Sequence, residues 1–163
     1  MSKNTSWGLV LLGAGVLALP CIFLVPYYRS VTQEYGRFHE YMEATVDNTE
    51  TPVEWTQRPF SPVECVDFGV AWSEACPATK EFCHGALYSV VGRCVESQDR
   101  QDYCASLDRE WMTTGFGYHD CENRLTELPE DASAQRKKRE KACAAGYRSI
   151  ADHCRDLELA ANP

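Results

Sequence analysis

Eight cysteines, Cys65, Cys76, Cys83, Cys94, Cys104, Cys121, Cys143 and Cys154, carry most of the chemical potential of this 163-residue chain. A thiol can form a disulfide, ligate a metal or act as a nucleophile, and the spacing selects among these. No Cys-x-x-Cys occurs, which argues against zinc-finger, ferredoxin and thioredoxin chemistry, and there is no Cys-x-x-Cys-His for haem attachment. An even number of cysteines at this density fits an oxidising compartment and four disulfides. Their connectivity is open, since eight cysteines allow 105 pairings. Cys65/Cys76, Cys83/Cys94 and Cys143/Cys154 share the spacing Cys-x10-Cys, and Cys94/Cys104 is Cys-x9-Cys. Eleven residues of α-helix return to within about 20° of the starting face. Two such helices laid antiparallel can therefore be bridged once at each end.

Cys143-x10-Cys154 with Cys83-x10-Cys94, and Cys94-x9-Cys104, resemble the paired cysteines of the coiled-coil–helix family, the twin Cys-x9-Cys proteins of the mitochondrial intermembrane space. The resemblance covers the cysteine tract only and departs in its spacing of ten and its extra cysteines. It implies oxidative folding in that space and a role as an accessory subunit of a respiratory complex. A bacterial periplasmic domain is the alternative.

The other candidate groups form no catalytic set. His39 and Glu43 lie one helical turn apart, too few ligands for a metal site. His84, His119 and His153 stand beside or near cysteines, but a Cys–His nucleophile needs a free thiol, which an oxidised domain lacks. His119-Asp120 and the surroundings of Glu110-Trp111 select no reaction. Gly115-Phe116-Gly117 is too short to cradle phosphate and reads as a turn, and Cys21 reads as a small apolar residue. No catalytic residue, cofactor or metal ligand is expected, and the chain is read as a non-enzyme.

The elements that position the cysteines follow from periodicity. Residues Gly8 to Pro26 carry no charge and are flanked by Trp7 and by Tyr27-Tyr28. This predicts an uncleaved transmembrane anchor over 1-28. Gly8, Gly13, Ala14, Gly15 and Ala18 would let another membrane helix approach closely. Tyr28, Val31, Tyr35, Phe38, Met42 and Thr45 alternate in steps of three and four, predicting a helical stalk over 29-47 that packs on a partner. Residues 48-62 read as an extended linker pinned by Trp55 and Phe60. The region 63-163 is the cysteine-rich helical domain. Its expected helices include Arg100 to Thr113 and a final one, starting at Pro129-Glu130-Asp131, with Cys143, Tyr147, Ile150, Cys154 and Leu157 on one face and Arg136, Lys137, Lys138, Arg139 and Lys141 near its start. The expected fold is thus all-α: a single N-terminal transmembrane helix extended as a stalk, then a small disulfide-stapled helical domain.

The formal net charge is −8. An acidic chain of this kind excludes nucleic acid as a partner on electrostatic grounds. The leading expectation is a non-catalytic accessory subunit of a larger membrane complex, respiratory or similarly energy-transducing. Its partners would be the lipid bilayer and other subunits. It would sit in the mitochondrial inner membrane facing the intermembrane space, or in a bacterial inner membrane facing the periplasm. The alternative is a membrane-anchored docking module that recruits a basic soluble protein through its acidic surface.

Overall fold

The computed structural model describes the backbone of residues 5–125 and 133–161 and the side chains of 24–124 and 133–161. These residues form seven α-helices: α1 (Thr5–Thr45), α2 (Glu54–Gln57), α3 (Pro62–Ala75), α4 (Lys80–Glu96), α5 (Gln101–Ser106), α6 (Tyr118–Leu125) and α7 (Ser133–Ala161). A 3-10 turn at Glu110–Met112 separates α5 from α6.

The transmembrane helix expected at 1-28 is corrected by the structure: among the described residues, no helix is long and apolar enough to cross a membrane. The apolar stretch belongs to one helix of 41 residues that runs on to Thr45. From Arg29 onward that helix carries Glu34, Arg37, Glu40 and Glu43, charges that hydrocarbon does not accommodate. Gly8, Gly13, Ala14, Gly15 and Ala18, the residues read as a helix-packing surface, have side chains outside the described residues.

The domain is built on α3, α4 and α7. Pro77 and the short Cys76–Thr79 connection stop α3 and turn the chain back, so α4 runs antiparallel to α3. α7 is antiparallel to α3 as well: Gly146 lies against Val66 and Arg139 pairs with Glu74 at 2.8 Å. α4 and α7 therefore run side by side in the same direction. Val66, Leu87, Val90, Val91 and Ile150 are fully buried between the three helices, joined by Val95 and Tyr147. At Gly69 the α3–α4 approach leaves no space for a side chain, since a Cβ there would stand 2.4 Å from Val91 Cγ2.

The start of α3 shows why the helix begins where it does. Ser61 Oγ accepts from the Glu64 N–H at 3.2 Å, and the Glu64 carboxylate accepts from the Ser61 N–H at 2.7 Å, with Pro62 in the first turn. This reciprocal box satisfies donors the helix leaves orphaned. The Ser61 backbone bond, and then Arg58 at 2.8 Å, hold the Glu64 carboxyl down at about 2, against an ordinary value of 4.5. A folded-state value below the unfolded one stabilises the protein above the unfolded value, and that stabilisation disappears as pH falls through the folded one. Denaturant melts of wild type and Glu64→Gln should therefore differ fully above about pH 5 and converge towards pH 2. A gap between the two that is constant with pH would refute this.

The tract 48-62 is pinned but not extended throughout. Asn48 Oδ1 accepts from the Glu50 and Thr51 N–H groups, and α2 inserts one helical turn. Trp55 and Phe60 are buried against Phe68, with ring centroids 4.7 and 6.4 Å away. The Arg100 guanidinium, itself buried, donates to the carbonyls of Phe60 and Val95 and ties this tract to the end of α4.

The expected helix Arg100 to Thr113 is interrupted. Asp108 and Arg109 adopt left-handed conformations (φ 41° and 67°), ending α5 soon after Ser106. The break swings Trp111 back beneath α7, where it is buried. A straight helix would separate Trp111 from that surface. The expected start of the last helix at Pro129-Glu130-Asp131 lies outside the described residues.

Candidate functional site

All eight cysteines from Cys65 to Cys154 form disulfides: Cys65–Cys94, Cys76–Cys83, Cys104–Cys154 and Cys121–Cys143. The first two clamp the α3–α4 hairpin at its two ends, the arrangement that helical spacing of eleven allows. The pairs that meet are Cys65/Cys76 and Cys83/Cys94. Cys143 and Cys154 do not bridge to Cys83 and Cys94 but to Cys121 and Cys104. On α7, Cys143 holds α6 through Cys121, and Cys154 holds α5 through Cys104. Each of these eight cysteines is consumed in a bridge, so none of them offers a thiolate.

The hairpin presents a receptor for α1. Trp72 stands at its centre: its indole Nε1 donates to Thr45 Oγ1 at 2.8 Å, and its carbonyl accepts from the Tyr41 hydroxyl at 3.0 Å. Phe38 stacks on Phe82 at 5.6 Å and meets Trp72 edge-on at 6.5 Å, and Tyr35 meets Phe82 at 6.1 Å. Arg93 of α4 pairs with Asp47 just beyond α1. Burial pushes the Tyr41 hydroxyl pKa up from its ordinary value. The stripe Phe38, Met42, Thr45 is thus seated within the chain, while Tyr35, which touches Phe82, is still 53 % exposed. Its continuation towards the amino end is not: Tyr28 is 65 % exposed, and Leu24, Val25, Tyr27 and Val31 are exposed with it.

A second polar cluster lies where α6 meets α7. The Tyr147 hydroxyl donates to Asp120 at 2.7 Å, and Arg124 pairs with Asp67 at 2.7 Å while its guanidinium lies 5.9 Å from the Tyr147 ring centroid. Burial, then the bond to Asp120, raises the Tyr147 pKa. Gly117 (φ 73°) lies beneath this ring, and a Cβ there would stand 2.1 Å from Tyr147 Cγ. Gly115-Phe116-Gly117 is accordingly a turn that seats Phe116 edge-on against Tyr147 at 5.4 Å. A hydroxyl held neutral in the fold favours the native state below its unfolded value and disfavours it above. Tyr147→Phe should therefore lessen the loss of stability that wild type shows above about pH 10, as read by thermal melts.

The remaining polar candidates are dispersed. His119 is 89 % exposed and faces Glu122, while its neighbour Asp120 is turned towards Tyr147. His39 and Glu43 form an exposed pair at 3.4 Å. Among the described residues no three His, Cys, Asp or Glu side chains cluster as a metal site would require. Glu110 and Trp111 are neighbours within the 3-10 turn that face apart, Trp111 buried and Glu110 exposed. The Trp72 receptor was not foreseen, because Trp72 is one apolar residue among several in α3 and only the hairpin brings it to α1.

No protein-family model matches this chain, and neither does any curated protein or solved structure. The functional reading therefore rests on the geometry alone.

Proposed function

We propose that the protein is a non-catalytic accessory subunit of a larger protein assembly, in which the disulfide-clamped domain holds α1 as a docking arm. The observation that carries this reading is the α1 stripe. Its carboxyl-terminal half is seated on Trp72 and Phe82, and its exposed half repeats the same apolar and aromatic chemistry at the same spacing. A stripe of this spacing suits helix-on-helix packing. Each large side chain fully buried by a partner would contribute roughly 1.5–3 kcal/mol before association costs. Four disulfides support an oxidising compartment, the intermembrane space or a periplasm. A respiratory or similar energy-transducing assembly is the class of partner favoured.

The test is native electrophoresis of the endogenous protein in mild detergent, with a photo-crosslinking residue placed at position 28 or 31. The wild type should migrate far above its 18.4 kDa mass and crosslink to another polypeptide. A Tyr28→Asp, Val31→Asp variant should run free. Migration of the wild type at monomer mass would end the proposal.

A second reading is supported by the other end of α4. Glu96, Asp99 and Asp102 are exposed there, and none enters an ion pair among the described residues. Such a patch suits a basic soluble partner, and its attraction should weaken steeply with ionic strength. Binding that is unchanged between low and high salt would exclude it.

A further inference from the structure

Lysine is scarce in this chain: there are five, and four of them, Lys80, Lys137, Lys138 and Lys141, line one groove. The groove lies between the first turns of α4 and α7 and has a volume of about 560 Å³. Ala134 and Ala145 contribute its apolar lining, His84 stands at the wall, and Glu81 is its single carboxylate among the described residues.

The arginines behave differently from these lysines. Every ion pair of the described residues is made by arginine or histidine, as in Arg58–Glu64, Arg124–Asp67 and Arg139–Glu74. None of the four groove lysines has a carboxylate within 4 Å among the described residues. In a chain with 24 acidic residues and a net charge of −8, the described residues gather four cations and one anion in this concave site without pairing them among themselves. Because α4 and α7 run in the same direction, the positive ends of both helix dipoles lie at this end of the bundle and add to the field. That field is felt by His84, whose pKa is lowered by burial and then by Lys138, Lys80 and Lys141, only partly offset by Glu81.

We propose that this groove binds a phosphate-bearing ligand, with Lys80, Lys137, Lys138 and Lys141 as the neutralising groups. Lysine ammoniums are compact point charges that suit phosphate oxygens approached from several sides. The size of the groove fits a small molecule or a lipid headgroup; an acidic polypeptide would overflow it. The groove opens at the end of α4 that carries Phe82, against which Tyr35 of α1 rests, so the exposed part of α1 leaves the domain at this same end. A ligand presented with apolar material beside it would meet both surfaces.

The test uses the oxidised full chain and two probes. One is inorganic pyrophosphate, followed by the NMR shifts of the His84 ring and the Ala145 amide. The other is co-sedimentation with phosphatidylcholine vesicles with and without phosphatidylglycerol. Pyrophosphate binding that Lys138→Glu, Lys141→Glu weakens at least about tenfold, that Glu81→Gln tightens, and that Arg148→Glu leaves near the wild-type value supports the proposal with a free phosphate as source. Binding to the anionic vesicles alone, with the same pattern of variants, supports it with a headgroup as source. Circular dichroism of each variant shows whether the helices remain. Binding lost equally in Arg148→Glu would reduce the effect to net charge and overturn the site. So would the absence of binding to either probe, or competition by poly-glutamate without any response to pyrophosphate.

Discussion

Removing the Cys104–Cys154 bridge as a paired Ser substitution is expected to lower the unfolding free energy by about 4 kcal/mol, from the loop-closure entropy of a 50-residue separation. The same treatment of Cys76–Cys83, which closes only 7 residues, should cost about 2 kcal/mol. Cys65–Cys94 and Cys121–Cys143, at 29 and 22 residues, should fall between them at about 3.5 kcal/mol each. Small domains hold only about 5–15 kcal/mol in total, so the fully reduced chain should not stay folded at 37 °C. Guanidinium melts of the four paired variants, with thiol counts confirming the remaining bridges, give the ranking. An order in which loss of Cys76–Cys83 is the most harmful would show that native packing dominates over chain entropy at these sites.

The second large effect is expected at Trp72, which is 4 % exposed and joins α1 to the hairpin through its ring, its indole N–H and its carbonyl. Trp72→Ala deletes a buried aromatic and should cost about 3–5 kcal/mol. It should also release one end of α1 more than the rest of the fold. Hydrogen exchange at residues 35–45 should rise well before that of α4 or α7. Trp72→Phe keeps the ring contacts with Phe38 and Tyr41 but removes the donor to Thr45, and should lose only about 1 kcal/mol. Uniform loss of protection in all helices would mean that Trp72 supports the core rather than the arm.

Much of the helical organisation was legible because apolar spacing is a local signal. The last helix, with Cys143, Tyr147, Ile150, Cys154 and Leu157 on one face, appears with that face turned inward. Trp55 and Phe60 stood out in a Thr- and Pro-rich tract, and both are buried. What eluded sequence reading depends on positions distant in the chain. The disulfide partners follow from which helices lie antiparallel, and repeated spacing alone could not single out one pairing. The interruption at Asp108 and Arg109 goes against the helical pattern around it, because burying Trp111 under α7 outweighs local propensity. The expected membrane span came from reading an uncharged stretch by itself. The same helix carries five charges between Arg29 and Glu43. For the candidate site, the aromatic stripe of α1 could be read from its spacing, but its partner Trp72 could not. The basic run at 136–141 was visible near the start of the last helix, and only the parallel course of α4 and α7 adds Lys80 and His84 to it.

The disulfides divide the polypeptide into two closed covalent circuits. One spans Cys65 to Cys94 and the other Cys104 to Cys154, and no sulfur links them. A protease cut between Cys121 and Cys143 leaves the second circuit in one piece, since two crosslinks straddle it. A cut at Gln98 or Asp99 severs the only covalent thread between the halves. From there the molecule is a heterodimer held by the packing of α3 and α4 on α7, and its integrity becomes a question of concentration.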